Sequence, residues 1–166
     1  MRRRTWLALG AGSAVALLLA GGTLALLVPG VKDAKLTAPA REVFASVARG
    51  LLAGTLPADG RAQAMEGLLA RIDALVANLP PHAQEELSQL LALLASAPGR
   101  RTFAGLATPW RDATVGEIQS ALGAMRISSV SLRQQGYQAL HDIVGAAYFS
   151  EPGTWEDIGY PGPTAL

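Results

Sequence analysis

The sequence predicts an all-α protein: a small bundle of about five helices, preceded by an N-terminal signal or anchor helix and followed by an irregular aromatic C-terminal tail. Three observations carry this. Apolar residues recur at three- and four-residue steps through most of the chain, and no segment alternates as a strand would. Pro and Gly punctuate the pattern at intervals that suit helices of ordinary length. At 166 residues, 50% hydrophobic and only 16% charged, the chain has enough apolar surface for one helical core with a surplus. The expected organisation is a signal or anchor over 1–31, a polar linker over 32–36, a helical domain over 37–151 and a tail over 152–166.

Much of the surplus lies at the N-terminus. After Met-Arg-Arg-Arg no charged residue occurs from Thr5 to Val31. As a helix rising about 1.5 Å per residue, residues 6–28 would cross a hydrocarbon layer of roughly 30 Å. Arginines in front and Pro29-Gly30 behind suit a span whose front stays cytoplasmic. Arg3-Arg4-Thr5-Trp6-Leu7 resembles a twin-arginine export signal, with Arg3 and Arg4 as the pair and Trp6 and Leu7 as the following aromatic and aliphatic residues. Arg2 and Ala8 depart from the fuller pattern, and the general secretory route is the alternative. Small-residue cleavage sites such as Thr23-Leu24-Ala25 fall inside the apolar run, so an uncleaved anchor is favoured.

The helices follow in order. Thr37 is a plausible N-cap with Pro39 in the first turn, opening a helix over about 38–53 that buries Val43, Phe44, Val47, Leu51 and Leu52. A loop over 54–60 holds Pro57 and Asp59-Gly60. The second helix shows the clearest stripe: Met65, Leu68, Leu69, Ile72, Leu75, Val76 and Leu79. Pro80-Pro81 stops it and starts the third, over about 81–97, with Leu87, Leu90, Leu91 and Leu94 inward and Pro98-Gly99 as its end. Residues 100–110 read as irregular or briefly helical, with Phe103 and Leu106 tucked into the bundle. Asp112 or Thr114 caps a fourth helix with Val115, Ile118, Leu122 and Met125 inward. Ser131 caps a fifth, whose Leu132, Leu140, Ile143, Val144, Ala147 and Tyr148 face the core.

Composition narrows the chemistry. The net charge of +1 offers no broad basic face to nucleic acid. Without cysteine there are no disulfides, thiolate nucleophiles, cysteine zinc sites or covalent haem attachment. Both histidines read as ordinary. His82 sits at a helix start, and His141-Asp142 are helix neighbours that point in different directions. Glu85-Glu86 suit the positive end of a helix dipole better than paired acid catalysis. No catalytic, cofactor-binding or metal-binding set is expected within this chain.

The tail stands apart. Tyr148-Phe-Ser-Glu-Pro-Gly-Thr-Trp-Glu-Asp-Ile-Gly-Tyr-Pro-Gly-Pro163 sets Trp155, Ile158 and Tyr160 among prolines and glycines that no helix tolerates. Trp and Tyr make good anchors on a water-excluding surface. Pro161 and Pro163 keep the segment extended, and Gly159 and Gly162 permit close backbone approach. Two readings stand side by side: the tail docks on a partner, or it folds back over the chain's own helices. Arg100 and Arg101 likewise either cap the third helix or meet an acidic partner surface.

The tail's Trp-x-x-Ile-Gly-Tyr-Pro-Gly-Pro, together with Arg101-Thr-Phe-Ala-Gly-Leu106 and the helix start at Leu36-Thr37, resembles the gluconate 2-dehydrogenase subunit 3 family. These are small exported subunits that accompany flavin-dependent dehydrogenases of the glucose-methanol-choline type. The likeness covers about 36–163 and is only compositional across the second and third helices. It implies a non-catalytic accessory subunit on the periplasmic side of the bacterial inner membrane. Its partner would be a large subunit carrying FAD and oxidising a sugar or alcohol, with electrons passing to a cytochrome c subunit or a quinone. The docking residues implied are Trp155, Ile158, Gly159, Tyr160, Pro161, Gly162, Pro163 and Arg101. The competing class is a self-sufficient, membrane-tethered helical domain.

Overall fold

Five long helices carry the fold: α1 (Ala38–Leu51), α2 (Arg61–Ala77), α3 (Pro81–Ala95), α4 (Val115–Arg126) and α5 (Ser131–Phe149). The structure, a computed structural model, describes residues 28–56, 60–155 and 159–160. The expected N-terminal span and the export residues Arg3, Arg4, Trp6 and Leu7 lie outside the described residues. Among those described, no helix is long and apolar enough to cross a membrane.

Helix α1 is the central element, touching all four of the others. That placement explains its sequence. Val43, Phe44, Val47 and Ala48 are wholly buried, and so are the small residues Ala40, Ser46 and Gly50 on its flanks. A single apolar stripe understates such a helix, since it is covered on several sides. The expected stripe of α2 is confirmed in Leu68, Leu69, Ile72 and Val76, and that of α3 in Leu87, Leu91 and Leu94. Arg41 of α1 pairs with Asp73 and Glu66 of α2, tying the two helices at the surface.

Four expectations need correction. The 32–36 segment is not a slack polar linker. Val31–Lys32 (β1) and Lys35–Leu36 (β2) form a two-stranded antiparallel hairpin, with Leu36 buried. Two residues per strand leave no alternation long enough to read. Asp33 and Ala34 take positive φ angles of 51° and 57°, the conformation a two-residue hairpin turn demands. Pro98-Gly99 does not end α3. That helix stops at Ala95, where Ser96 turns extended, and Ser96 then caps a fresh turn (Ala97–Gly99) by accepting from the Gly99 N–H at 3.0 Å. Gly99 lies against the Leu93 carbonyl so closely that no side chain fits there. The chain continues as a π-helical turn, Arg100–Ala104. Val115 is exposed rather than inward, because it occupies the first turn of α4, ahead of the buried stripe. Ser131 does not cap α5. Val130 holds the N-cap position, and Ser128 receives its N–H.

Thr114 is the cap of α4, through a reciprocal capping box with Glu117. Glu117 accepts from the Thr114 backbone N–H, from the Thr108 hydroxyl and from the Thr114 hydroxyl, each at 2.8 Å. These bonds, the backbone one foremost, hold its carboxyl below the ordinary 4.5. A lowered folded value means the contribution is complete above the unfolded value and is lost as pH falls through the folded one. Replacing Thr114 by Ala should cost about 1 kcal/mol at neutral pH. In thermal melts, Glu117→Gln should lose less stability on acidification than the parent chain.

Candidate partner interface

Helix α5 ends in a folded knuckle, and its construction is local. Pro152 cannot continue an α-helix, and it opens a 3-10 turn, Pro152–Thr154. The Thr154 hydroxyl lies 3.1 Å from the Tyr148 carbonyl and 2.7 Å from that of Glu151, serving carbonyls that the helix end leaves free. Ser150 donates to the Ala147 carbonyl at 2.9 Å. From α2, Arg71 donates to the same carbonyl at 2.8 Å and approaches Glu151 at 3.4 Å. The end of α5 is therefore held from both its own chain and its neighbour helix.

The aromatic residues sit on this knuckle. Tyr148 is buried in the core, and Phe149 beside it is 41% exposed, their rings meeting edge to face at 5.2 Å. The Trp155 indole N–H donates to the Phe149 carbonyl at 2.8 Å, and its ring is half-buried. Tyr160 returns to it: its backbone N–H donates to the Trp155 carbonyl at 3.0 Å. The two rings meet edge to face with centroids 5.5 Å apart. Gly159, at φ 69°, supplies the left-handed residue that this return requires. Tyr160 remains 47% exposed. Phe149, Trp155 and Tyr160 together present partly exposed aromatic surface at the end of α5.

Of the expected docking residues, the structure thus brings together Trp155, Gly159 and Tyr160, and adds Phe149. Phe149 has a sequence signal: it follows Tyr148, the last buried position of the α5 stripe, and closes the helix just ahead of Glu151-Pro152. Ile158, Pro161, Gly162 and Pro163 lie outside the described residues. Arg101 does not join this group. It is exposed on the π-helical turn, whose Phe103 packs against Gly136 in α5. Gly136 precedes Phe149 by 13 residues, about 20 Å along the helix.

The arginine pair splits. The Arg101 side chain makes no hydrogen bond among the described residues. Arg100 is buried, its side chain gives one bond, to the Ala107 carbonyl at 3.3 Å, and its Nε is left without a partner. Neither caps α3.

The remaining polar clusters are slight. His141 Nδ1 reaches Asp142 at 3.1 Å, closer than helix neighbours were expected to come, with both side chains about half exposed. Asp142 also accepts from Gln138 at 2.7 Å, and Tyr137 lies against the imidazole at 5.6 Å. A shallow groove of about 300 Å³ is lined by Ala38, Pro39, Glu42, Ala95 and Trp110. Among the described residues, no three of His, Asp and Glu stand close enough to hold a metal ion.

Compared with protein-family models, with curated proteins and with solved structures, the chain matches none of them.

Proposed function

We propose that this chain is a non-catalytic small subunit of a membrane-associated or periplasmic FAD-dependent sugar or alcohol dehydrogenase, similar to gluconate 2-dehydrogenase subunit 3. In this reading it carries the large flavoprotein subunit through export, aids its maturation and holds it at the membrane. FAD belongs to that partner, and a cytochrome c subunit is a further candidate member. The observation that supports it best is the aromatic knuckle. Phe149, Trp155 and Tyr160 are fixed on a braced helix end and left partly open, within the segment that carries the family likeness. Rigid aromatic anchors of this kind lose little entropy on docking.

A second reading has its own observation. The Trp155 indole N–H is already bonded to the Phe149 carbonyl, so this ring is turned onto its own helix. A tethered helical domain with no dehydrogenase partner would look the same at that bond. Export separates the two readings. With Arg3→Lys and Arg4→Lys together, the accessory reading expects both this chain and the flavoprotein to remain in the cytoplasm, scored by fractionation and flavin content. Export of the flavoprotein while this chain stays in the cytoplasm contradicts it.

A further inference from the structure

We infer that the hairpin over 31–36 binds the phosphate of an anionic phospholipid headgroup between Lys32 and Lys35, seating the domain on the bilayer. The inference rests on the reading of residues 6–28 as a retained membrane anchor, and three observations carry it from there.

The first is the hairpin's two faces. Val31 pairs with Leu36, and Leu36 is buried against the bundle. Lys32 pairs with Lys35, and both are exposed. Directly opposed cross-strand residues share one face of the ladder. Like charges in that position destabilise a hairpin unless an anion lies between them. Among the described residues neither ammonium has an acidic partner. Asp33, the only acid in the hairpin, sits exposed in the turn and makes no ion pair there.

The second is the absence of slack. Gly30 donates to the Ser88 carbonyl at 3.2 Å, and Val31 to the Ser88 hydroxyl at 3.0 Å. Thr37 closes back on the Gly30 carbonyl at 3.0 Å and on that of Pro29 at 2.8 Å. Leu36 donates to Asp73 of α2 at 2.8 Å. Gly30 also packs against Leu91 so closely that a side chain there would clash. Between the exposed Val28, the last residue of the apolar run, and the fixed Gly30 stands only Pro29, whose φ is locked.

The third is reach. Lys32 is four residues beyond Val28, at most about 14 Å of extended chain. The polar layer on each side of the hydrocarbon is several ångströms deep. Lys32, with Lys35 paired beside it, is therefore within side-chain reach of the headgroups. Lysine is a compact point charge suited to phosphate.

The test uses the full chain in vesicles of phosphatidylcholine with one quarter phosphatidylglycerol. The vesicles are washed in alkaline carbonate, the chain is released in mild detergent, and its bound lipid is counted by native mass spectrometry. The expected result is a bound phosphatidylglycerol-to-phosphatidylcholine ratio about tenfold above that of the vesicles. That preference should fall to near parity in K32Q/K35Q, persist in K32R/K35R, and survive or rise in D33N. Circular dichroism confirms that the variants are folded. A chain that stays with the vesicles but shows the same lipid ratio in K32Q/K35Q overturns the inference and leaves the anchor standing. A chain stripped by carbonate overturns the anchor reading and the inference with it.

Discussion

A chain carrying Trp155→Ala and Tyr160→Ala should keep its helical content and lose more than about 2 kcal/mol of affinity for the flavoprotein subunit, roughly thirtyfold. The expectation follows from where the two rings sit. Neither belongs to the buried core, so the bundle survives their removal. Each supports the other edge to face, and that pairing is worth about 1 kcal/mol beyond the area it covers. Truncating one ring also releases its neighbour, so the single variants should not add simply to the double. Trp155→Phe is the informative intermediate: it keeps most of the ring and removes only the bond to the Phe149 carbonyl. Binding calorimetry with purified partner gives the numbers, and circular dichroism gives the folding control. Unchanged affinity in a folded double variant removes the knuckle from the interface.

The largest effect on stability is expected at Trp110, where Ala should cost about 3–5 kcal/mol. Trp110 is 2% exposed, among the largest of the wholly buried side chains. Its indole N–H donates to the Leu94 carbonyl at 2.8 Å, near the C-terminal end of α3. Its own carbonyl accepts from Ser46 at 2.8 Å and from Arg49 at 2.9 Å, both in α1. One residue thus joins α3 to the central helix and pins the irregular segment that leads into α4. Alanine there leaves a cavity and an unpaired carbonyl together. Phenylalanine refills most of the volume but still strands the Leu94 carbonyl, for about 1–3 kcal/mol. Thermal unfolding followed by circular dichroism should show a fall in Tm of about 15 °C or more for the alanine variant. A shift of a few degrees would mean that the segment is not held through Trp110.

Trp110 also marks where the sequence was legible and where it was not. The helices were readable because their stripes are long: α2 shows its buried face in Leu68, Leu69, Ile72 and Val76 without help from any other segment. Trp110 lies in a stretch with no period, so nothing local announced its burial. The same holds for Ser46, a polar residue made inner by α1 touching every other helix. The hairpin over 31–36 escaped because its two-residue strands are set by contacts with Ser88 and Asp73, 57 and 37 residues away. Pro98 was read as a stop because proline usually follows a helix, whereas here Ser96 had already broken α3 and Pro98 sits in the next turn. At the candidate docking site, the aromatic content of the tail is plain from the sequence. The return of Tyr160 onto Trp155, the exposure of Phe149 and the separation of Arg101 from all three depend on three-dimensional placement.

The central claim is that this chain serves a flavoprotein. A tagged copy, pulled down from native envelope in mild detergent and scanned across the visible range, tests it most directly. The account expects a large co-purifying subunit and the absorbance bands of bound flavin. A colourless preparation of the helical chain alone, from cells that express the complex, would contradict it and leave a tethered domain with its tail turned on itself.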